Sequence, residues 1–87
     1  DDLMLEDGAG ERYEAELLSM RADRLAPVLD ALEPADRGIL LMKYQDELSV
    51  KDMMVVLGLS ESAVKMRAMR ARERALAKYH LLFRDEP

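Results

Sequence analysis

Apolar residues in the first third of the chain recur three or four positions apart, the spacing that places side chains on one face of an α-helix. These residues are Tyr13, Leu17, Leu18, Leu25, Val28, Leu29 and Leu32. The pattern predicts a helical segment from Glu11 to about Leu32. Because proline lacks a backbone donor and clashes with the preceding turn, we expect Pro27 to break this helix near Leu25–Ala26.

The next segment is apolar on more than one face. Pro34 suits the first turn of a helix, so Glu33-Pro34 predicts a helix from Ala35 to about Asp46. Its centre, Ile39-Leu40-Leu41-Met42, is too apolar for a helix with a single buried stripe. Two interpretations stay open, a central helix covered by neighbours on two sides and a surface that receives a partner protein.

The second half of the chain predicts a helix-turn-helix over about residues 49–79. Ser49, with an acid three positions later, is a good N-cap for a helix over residues 50–57. Gly58 suits a left-handed cap at the end of that helix. Ser60 then caps a last helix from Glu61 to about Tyr79. The whole chain is therefore predicted to be an all-α domain of four to five helices with a C-terminal helix-turn-helix.

The last helix has two different faces. Small side chains form a narrow stripe that permits close packing, at Val64, Ala68, Ala71 and Ala75. The opposite face is expected to carry Lys65, Met66, Arg67, Met69, Arg70 and Arg72. Arginine can bond both major-groove acceptors of guanine, and basic side chains neutralise phosphates. This face therefore predicts a helix that enters the major groove of DNA.

The charge distribution agrees with this interpretation, although the net charge of the 87 residues is −5. Residues 1–36 contain eleven acids and three bases, whereas residues 37–87 contain seven acids and ten bases. From Ser60 to His80 six bases oppose two acids. The segment Asp1–Gly10 is acidic and ends in Gly8-Ala9-Gly10, so it is interpreted as the tail of an interdomain linker before a domain over residues 11–87.

Other classes of function find little support. The chain has no cysteine, which excludes disulfides and thiolate metal sites and makes a reducing cytoplasm the expected location. It has no apolar run of membrane-spanning length, no phosphate-binding glycine loop and no metal-ligand spacing. His80, the sole histidine, is expected to be exposed or to cap the last helix. We therefore expect no enzyme activity, no cofactor and no small-molecule substrate.

Several motifs together resemble region four of sigma-70 family transcription factors, most closely the extracytoplasmic-function group. The resemblance covers roughly Leu25 to Leu82. It rests on Leu32-Glu33-Pro34-Ala35-Asp36-Arg37, on Ile39-Leu40-Leu41-Met42-Lys43-Tyr44, on Leu48-Ser49, on Leu57-Gly58-Leu59-Ser60-Glu61-Ser62-Ala63-Val64-Lys65-Met66-Arg67 and on Arg70-Ala71-Arg72. The acidic start of the chain would then follow a second domain, which melts the −10 promoter element.

The resemblance implies recognition of the promoter −35 element by a domain that also holds the flap of the RNA polymerase β subunit, with anti-sigma factors as further partners. Taken with the basic face, it gives as candidate DNA contacts Ser60, Glu61, Ser62, Lys65, Met66, Arg67, Met69, Arg70, Arg72 and Arg74. The candidate partner surface is Leu40, Leu41 and Tyr44, with Leu81 and Leu82. Leu81-Leu82-Phe83 is expected to fold back on the core, with partner docking as the alternative.

Two positions depart from the family pattern. Met53-Met54 stands where the family usually has Ile-Ala, so Met54 is expected to shift the packing or widen the angle between the two helices. Met66 stands where the family often has serine, which removes a possible phosphate contact. Two alternatives remain, the output domain of a LuxR-type response regulator and a sigma-like mimic that binds an anti-sigma protein without reading DNA. The Arg70-Ala71-Arg72 run and the opening Leu32-Glu33-Pro34-Ala35-Asp36-Arg37 favour a sigma domain over the LuxR type. The retained bases Lys65, Arg67, Arg70 and Arg72 argue against the mimic.

Overall fold

The computed structural model describes residues 9–20 and 22–83, with side chains from Tyr13 onward except at position 22. Within these residues it contains five helices and no strand, which confirms the predicted all-α class. We number them α1 (Ala9–Leu18), α2 (Ala22–Asp30), α3 (Pro34–Tyr44), α4 (Val50–Leu57) and α5 (Glu61–Phe83). None of the described helices has the length and hydropathy needed to cross a bilayer.

The predicted break near Leu25–Ala26 is wrong, because the first segment divides earlier, after Leu18. The Ser19 hydroxyl donates to the Glu16 carbonyl at 2.7 Å, and this local bond competes with continuation of α1. Pro27 lies inside α2, where its missing N–H removes only one intrahelical bond. The Pro27 carbonyl still accepts a hydrogen bond from the Ala31 N–H at 3.1 Å.

Both ends of the chain differ from the sequence interpretation. Residues 1–8 of the predicted linker lie outside the described residues, while Ala9 and Gly10 begin α1. At the other end, Leu81-Leu82-Phe83 continues α5 past Tyr79, because no glycine or proline interrupts it. Leu81 and Leu82 are exposed, so the prediction that they fold back is wrong. Phe83 does pack on the core, next to Tyr79 one turn earlier.

Helix α5 is the centre of the domain, and each of the other four helices packs against it. The predicted stripe of small side chains, Val64, Ala68, Ala71 and Ala75, is fully buried along α5. Larger side chains from the neighbouring helices complete the core, namely Leu17, Val28, Leu32, Ile39, Leu40 and Met53. Alanines on the central helix let its neighbours approach closely, and this leaves the remaining faces of α5 for polar residues.

Candidate nucleic-acid interface

Helix α4 is capped at both ends as the sequence predicts. At its start the Asp52 N–H donates to the Ser49 hydroxyl at 3.0 Å, and the Ser49 N–H donates to the Asp52 carboxylate at 3.3 Å. At its end Gly58 is left-handed, with φ 67° and ψ 36°, and its N–H donates to the Met54 carbonyl at 2.8 Å. These caps set the point at which the chain turns towards α5.

The turn between α4 and α5 is short and anchored on both sides. The Leu59 N–H also donates to the Met54 carbonyl, and the Ser60 hydroxyl accepts a hydrogen bond from the Ala63 N–H at 3.2 Å. Leu57 and Leu59 are half-buried against the core cluster that contains Val64. The start of α5 is therefore held in a defined direction relative to α4, as a helix-turn-helix requires.

We expect Gly58→Ala to lower the free energy of unfolding by about 1–2 kcal/mol, because an L-residue in the left-handed region is strained. A Cβ at Gly58 would meet no heavy atom within 4 Å, so backbone strain is the sole cause. Gly38→Ala is the matched control. Gly38 lies within α3, also in open space, and alanine there should stabilise the domain by about 0.5–1 kcal/mol. Urea denaturation measures the free energy of unfolding of both variants. Equal effects of the two substitutions would contradict the left-handed conformation assigned to Gly58.

The first three turns of α5 carry most of the candidate DNA contacts on accessible surface. Ser60, Glu61, Ser62, Arg67 and Arg70 are exposed, and Lys65, Met66 and Met69 are half-buried. The Lys65 ammonium forms an ion pair with the Glu61 carboxylate at 3.1 Å. Within the described part of the chain, Arg67 and Arg70 have neither an ion pair nor a side-chain hydrogen bond. These two guanidinium groups are available to an external anion.

Arg72 does not belong to this exposed face, and its predicted placement there is wrong. The residue is only 8% exposed, because position 72 follows Ala68 by four residues and precedes Ala75 by three on the buried side of α5. Its Nη1 donates to the Tyr44 hydroxyl at 3.3 Å. Its buried Nε has no hydrogen-bond partner among the described residues. Arg72 therefore links α5 to the end of α3 and is removed from the candidate DNA contacts.

The Tyr44 hydroxyl accepts the hydrogen bond from the buried Arg72 guanidinium. Burial raises the pKa of the Tyr44 phenol, the positive charge of Arg72 opposes that rise, and the nearby Glu14 carboxylate adds to it. Glu14 comes from α1, so Tyr44 stands where three helices meet. The neutral hydroxyl accepts the bond from Arg72, and the contact joins α1, α3 and α5 in one polar network.

We expect Tyr44→Phe to destabilise the domain by about 1–3 kcal/mol, because it leaves a buried Arg72 donor without an acceptor. The same variant should also change how the stability of the domain depends on pH above about pH 10. A pKa raised above the unfolded value gives stability that is complete below about pH 10 and is lost as pH rises through the folded pKa. Because phenylalanine does not ionise, Tyr44→Phe should not show this loss of stability at high pH. Thermal melts at pH 7 and pH 10–11 test both points, with Tyr13→Phe as the control that should change little.

Arg74 also has a partner within the domain, although its own side chain is 58% exposed. Its Nη1 lies 3.0 and 3.1 Å from the two carboxylate oxygens of Asp36, whose side chain is 11% exposed. The pair fastens the start of α3 to the middle of α5. Sequence reasoning assigned Arg74 to DNA and did not single out Asp36, since the two lie 38 positions apart and no local signal connects them.

A groove of about 440 Å³ runs between α3 and α5 beside the exposed arginines. Its apolar side chains include Ile39, Met42 and Leu57. Its basic side is formed by Arg67 and Arg70, with Arg74 beside its partner Asp36. The surface therefore combines apolar contact area with positive charge, and we call it the basic groove.

The predicted partner residues fall into two separate places. Leu41 and Tyr44 line an apolar groove of about 280 Å³ between α1, α2 and α3. Leu40 lies at its floor but is 2% exposed, so the prediction that it offers a docking surface is wrong; it belongs to the core. Leu81 lines a different cleft with Leu32, and the exposed Leu82 also lies at the end of α5. The two sets do not form one surface.

The described residues contain no group of three or more histidine or acidic side chains placed to hold a metal ion. His80 is exposed near the end of α5, with its ring edge-on to Tyr79 at 5.5 Å. The candidate interface consists of the turn between α4 and α5, the exposed Arg67 and Arg70, and the basic groove.

A comparison of the sequence with known protein families gives a match. The family model described as sigma-70, region 4, matches residues 22–74, more than half of the chain. The match runs from α2 to the middle of α5 and includes the turn and both exposed arginines. Helix α1 and the last nine described residues of α5 lie outside it. No curated protein and no solved structure matches the chain.

Proposed function

The chain belongs to the sigma-70 region 4 family, whose members bind DNA and RNA polymerase in transcription initiation, and on this premise we propose that α5 reads a promoter −35 element. One observation carries the proposal. Arg67 and Arg70 lie exposed and nearly one turn apart on α5, just beyond the Gly58 turn that aims this helix. This is the arrangement by which the second helix of a helix-turn-helix presents its first turns to the major groove.

Each accessible side chain of the first turns has a proposed role. Arg67 and Arg70 bond guanine acceptors or phosphates, and Lys65 exchanges its ion pair with Glu61 for a contact to the DNA backbone. The amides at the start of α5, from Ser60 to Ser62, suit a phosphate oxygen. The half-buried methionines of this face provide apolar contact to thymine methyls. Arg72 and Arg74 hold the domain together and are left out of this set.

RNA polymerase binding is proposed for the opposite side of the domain. The apolar groove between α1, α2 and α3, which Leu41 and Tyr44 line, has the character of a site for an apolar helix such as the β flap. We further propose that the chain acts in the cytoplasm as part of an alternative sigma factor of the extracytoplasmic-function group. An anti-sigma protein would inhibit it by covering the same groove.

The test is the affinity of the chain for promoter duplexes, measured by fluorescence anisotropy against a library that varies the −35 element. We expect weak but sequence-dependent binding that falls steeply with salt, since several basic side chains displace counterions. Neutralising about three to five phosphates predicts a slope of log K against log salt of about −2.7 to −4.5. Binding without sequence preference even at low salt would contradict the proposal.

A sigma-like mimic is the second candidate, favoured by the net charge of −5 and the acids concentrated before position 37. Such a protein keeps the fold to bind an anti-sigma factor and does not read DNA. It predicts tight anti-sigma binding together with no sequence preference for DNA. The exposed Arg67 and Arg70 favour the promoter-binding role, because a mimic has no use for two unpaired cations there. The family match to sigma-70 region 4 disfavours the LuxR-type alternative.

A further inference from the structure

We propose that the acidic segment Asp1–Asp7 of the same chain docks in the basic groove and competes with DNA. The groove offers two things to a ligand. Its apolar side chains, which include Ile39 and Met42, lie along one side of the groove, whose volume is about 440 Å³. On the other side stand Arg67 and Arg70, without ion pairs among the described residues.

The segment Asp1–Asp7 matches both features. Its centre is the apolar run Leu3-Met4-Leu5, and two acids stand on each side of that run. A peptide with apolar residues between carboxylates suits a groove with apolar walls and a basic rim. Among the described residues that line the groove, Asp36 is the one acid, and its charge is already compensated by Arg74 at 3.0 Å. The remaining cations are therefore available to carboxylates of the segment.

The segment is long enough for this contact. Seven residues in extended form span about 23–25 Å. The domain measures 40 × 25 × 18 Å along its principal axes, so the segment is as long as the domain is wide. It precedes α1, which packs directly on α5.

Docking of the segment would regulate DNA binding by α5. This consequence rests on the proposed function, in which α5 reads promoter DNA. The segment and DNA would both use Arg67 and Arg70, so they exclude one another. If the segment is docked about 90% of the time, the apparent affinity for DNA falls about tenfold. A partner that draws the segment away would restore full affinity. The acidic segment Asp1–Asp7 thus gives the domain an internal competitor for DNA.

Docking itself is tested without DNA. The chain has no cysteine, so Asp1→Cys provides a single site for a nitroxide spin label on the full chain. We expect paramagnetic broadening of the amide signals of Gly38, Met42, Arg67 and Arg70, and we expect it to disappear at high salt. Adding Asp2→Asn, Glu6→Gln and Asp7→Asn to the labelled chain should abolish it. Absence of broadening at the groove, or equal broadening over α2, would overturn the proposal.

A mixture of isotope-labelled chain and spin-labelled chain distinguishes a second copy as the occupant. Broadening in that mixture at the strength seen in the single chain would overturn intramolecular docking. Loss of the broadening in the mixture supports it. If the broadening is found but no variant binds promoter DNA, the docking stands and the proposed function fails. The two ideas are therefore tested separately.

The competition with DNA has a matched control. The segment variant, Asp1→Asn with Asp2→Asn, Glu6→Gln and Asp7→Asn, removes four negative charges from the segment. The control removes four exposed carboxylates elsewhere, with Glu16→Gln, Asp30→Asn, Asp46→Asn and Glu47→Gln. Both change the net charge equally. We expect the segment variant to bind the −35 duplex about five- to tenfold more tightly than the control, in line with the docked fraction above. Equal affinities would overturn the competition.

Discussion

Arg70→Ala is expected to weaken binding of the −35 duplex by about tenfold to a hundredfold, with little change in folding. The magnitude follows from the loss of one guanidinium that bonds base or phosphate, about 1–3 kcal/mol. Arg70 is exposed and has no ion pair or hydrogen-bond partner within the described residues, so its removal leaves no buried group unsatisfied. Fluorescence anisotropy gives the affinity, and circular dichroism reports the helix content.

Two further variants separate a contact from a general charge effect. Arg37→Ala removes the same charge from α3, at a residue that does not line the basic groove, and should change the affinity less than about threefold through long-range electrostatics. Lys65→Ala should weaken binding less than Arg70→Ala, because Lys65 must first leave Glu61. If helicity falls with Arg70→Ala or Lys65→Ala, the assignment of this face of α5 is wrong. An equal loss of affinity in Arg37→Ala would point to net charge alone.

The second large effect is expected in the core of the helix-turn-helix. Met53→Ala should lower the free energy of unfolding by about 2–5 kcal/mol, the range for removing a buried methionine side chain. Met53 is only 1% exposed and is among the largest fully buried side chains of the domain. Because the free energy of unfolding of a small domain is only about 5–15 kcal/mol, this substitution should remove a large fraction of it.

Met54→Ala is the matched control for this prediction. The two methionines are neighbours on α4, yet Met54 is half-buried and serves the turn mainly through its carbonyl. We expect Met54→Ala to cost less than half as much as Met53→Ala in urea denaturation. Comparable costs would mean that Met54 bears the contact between α4 and α5. The expectation that Met54 widens the angle between these helices remains a prediction.

Arg72 shows why counting the basic residues of a helix from its sequence gives too many DNA contacts. Counting bases between Ser60 and His80 treats every arginine of α5 as equivalent. In the folded domain, Arg67 and Arg70 face outward, Arg72 reaches the Tyr44 hydroxyl and Arg74 pairs with Asp36. Two of the arginines are therefore structural, and their replacement should lower stability before it changes DNA recognition.

Much of the local structure follows from the sequence alone. The capping box at Ser49, the left-handed Gly58, the Ser60 cap and the stripe of small residues on α5 are all present as predicted. Each depends on residues no more than four positions apart or on the helical period. The backbone bonds and side-chain periodicity that create these features are complete within one or two turns, so no distant contact is needed to specify them.

Only the tertiary structure decided which residues of each helix remain accessible. The burial of Arg72 and the exposure of Leu81 and Leu82 went against the local pattern. The contacts responsible join positions far apart, 28 residues from Tyr44 to Arg72 and 38 from Asp36 to Arg74. A sequence pattern states which side chains can be buried or paired, whereas the packing of helices around α5 determines which of them meet a partner.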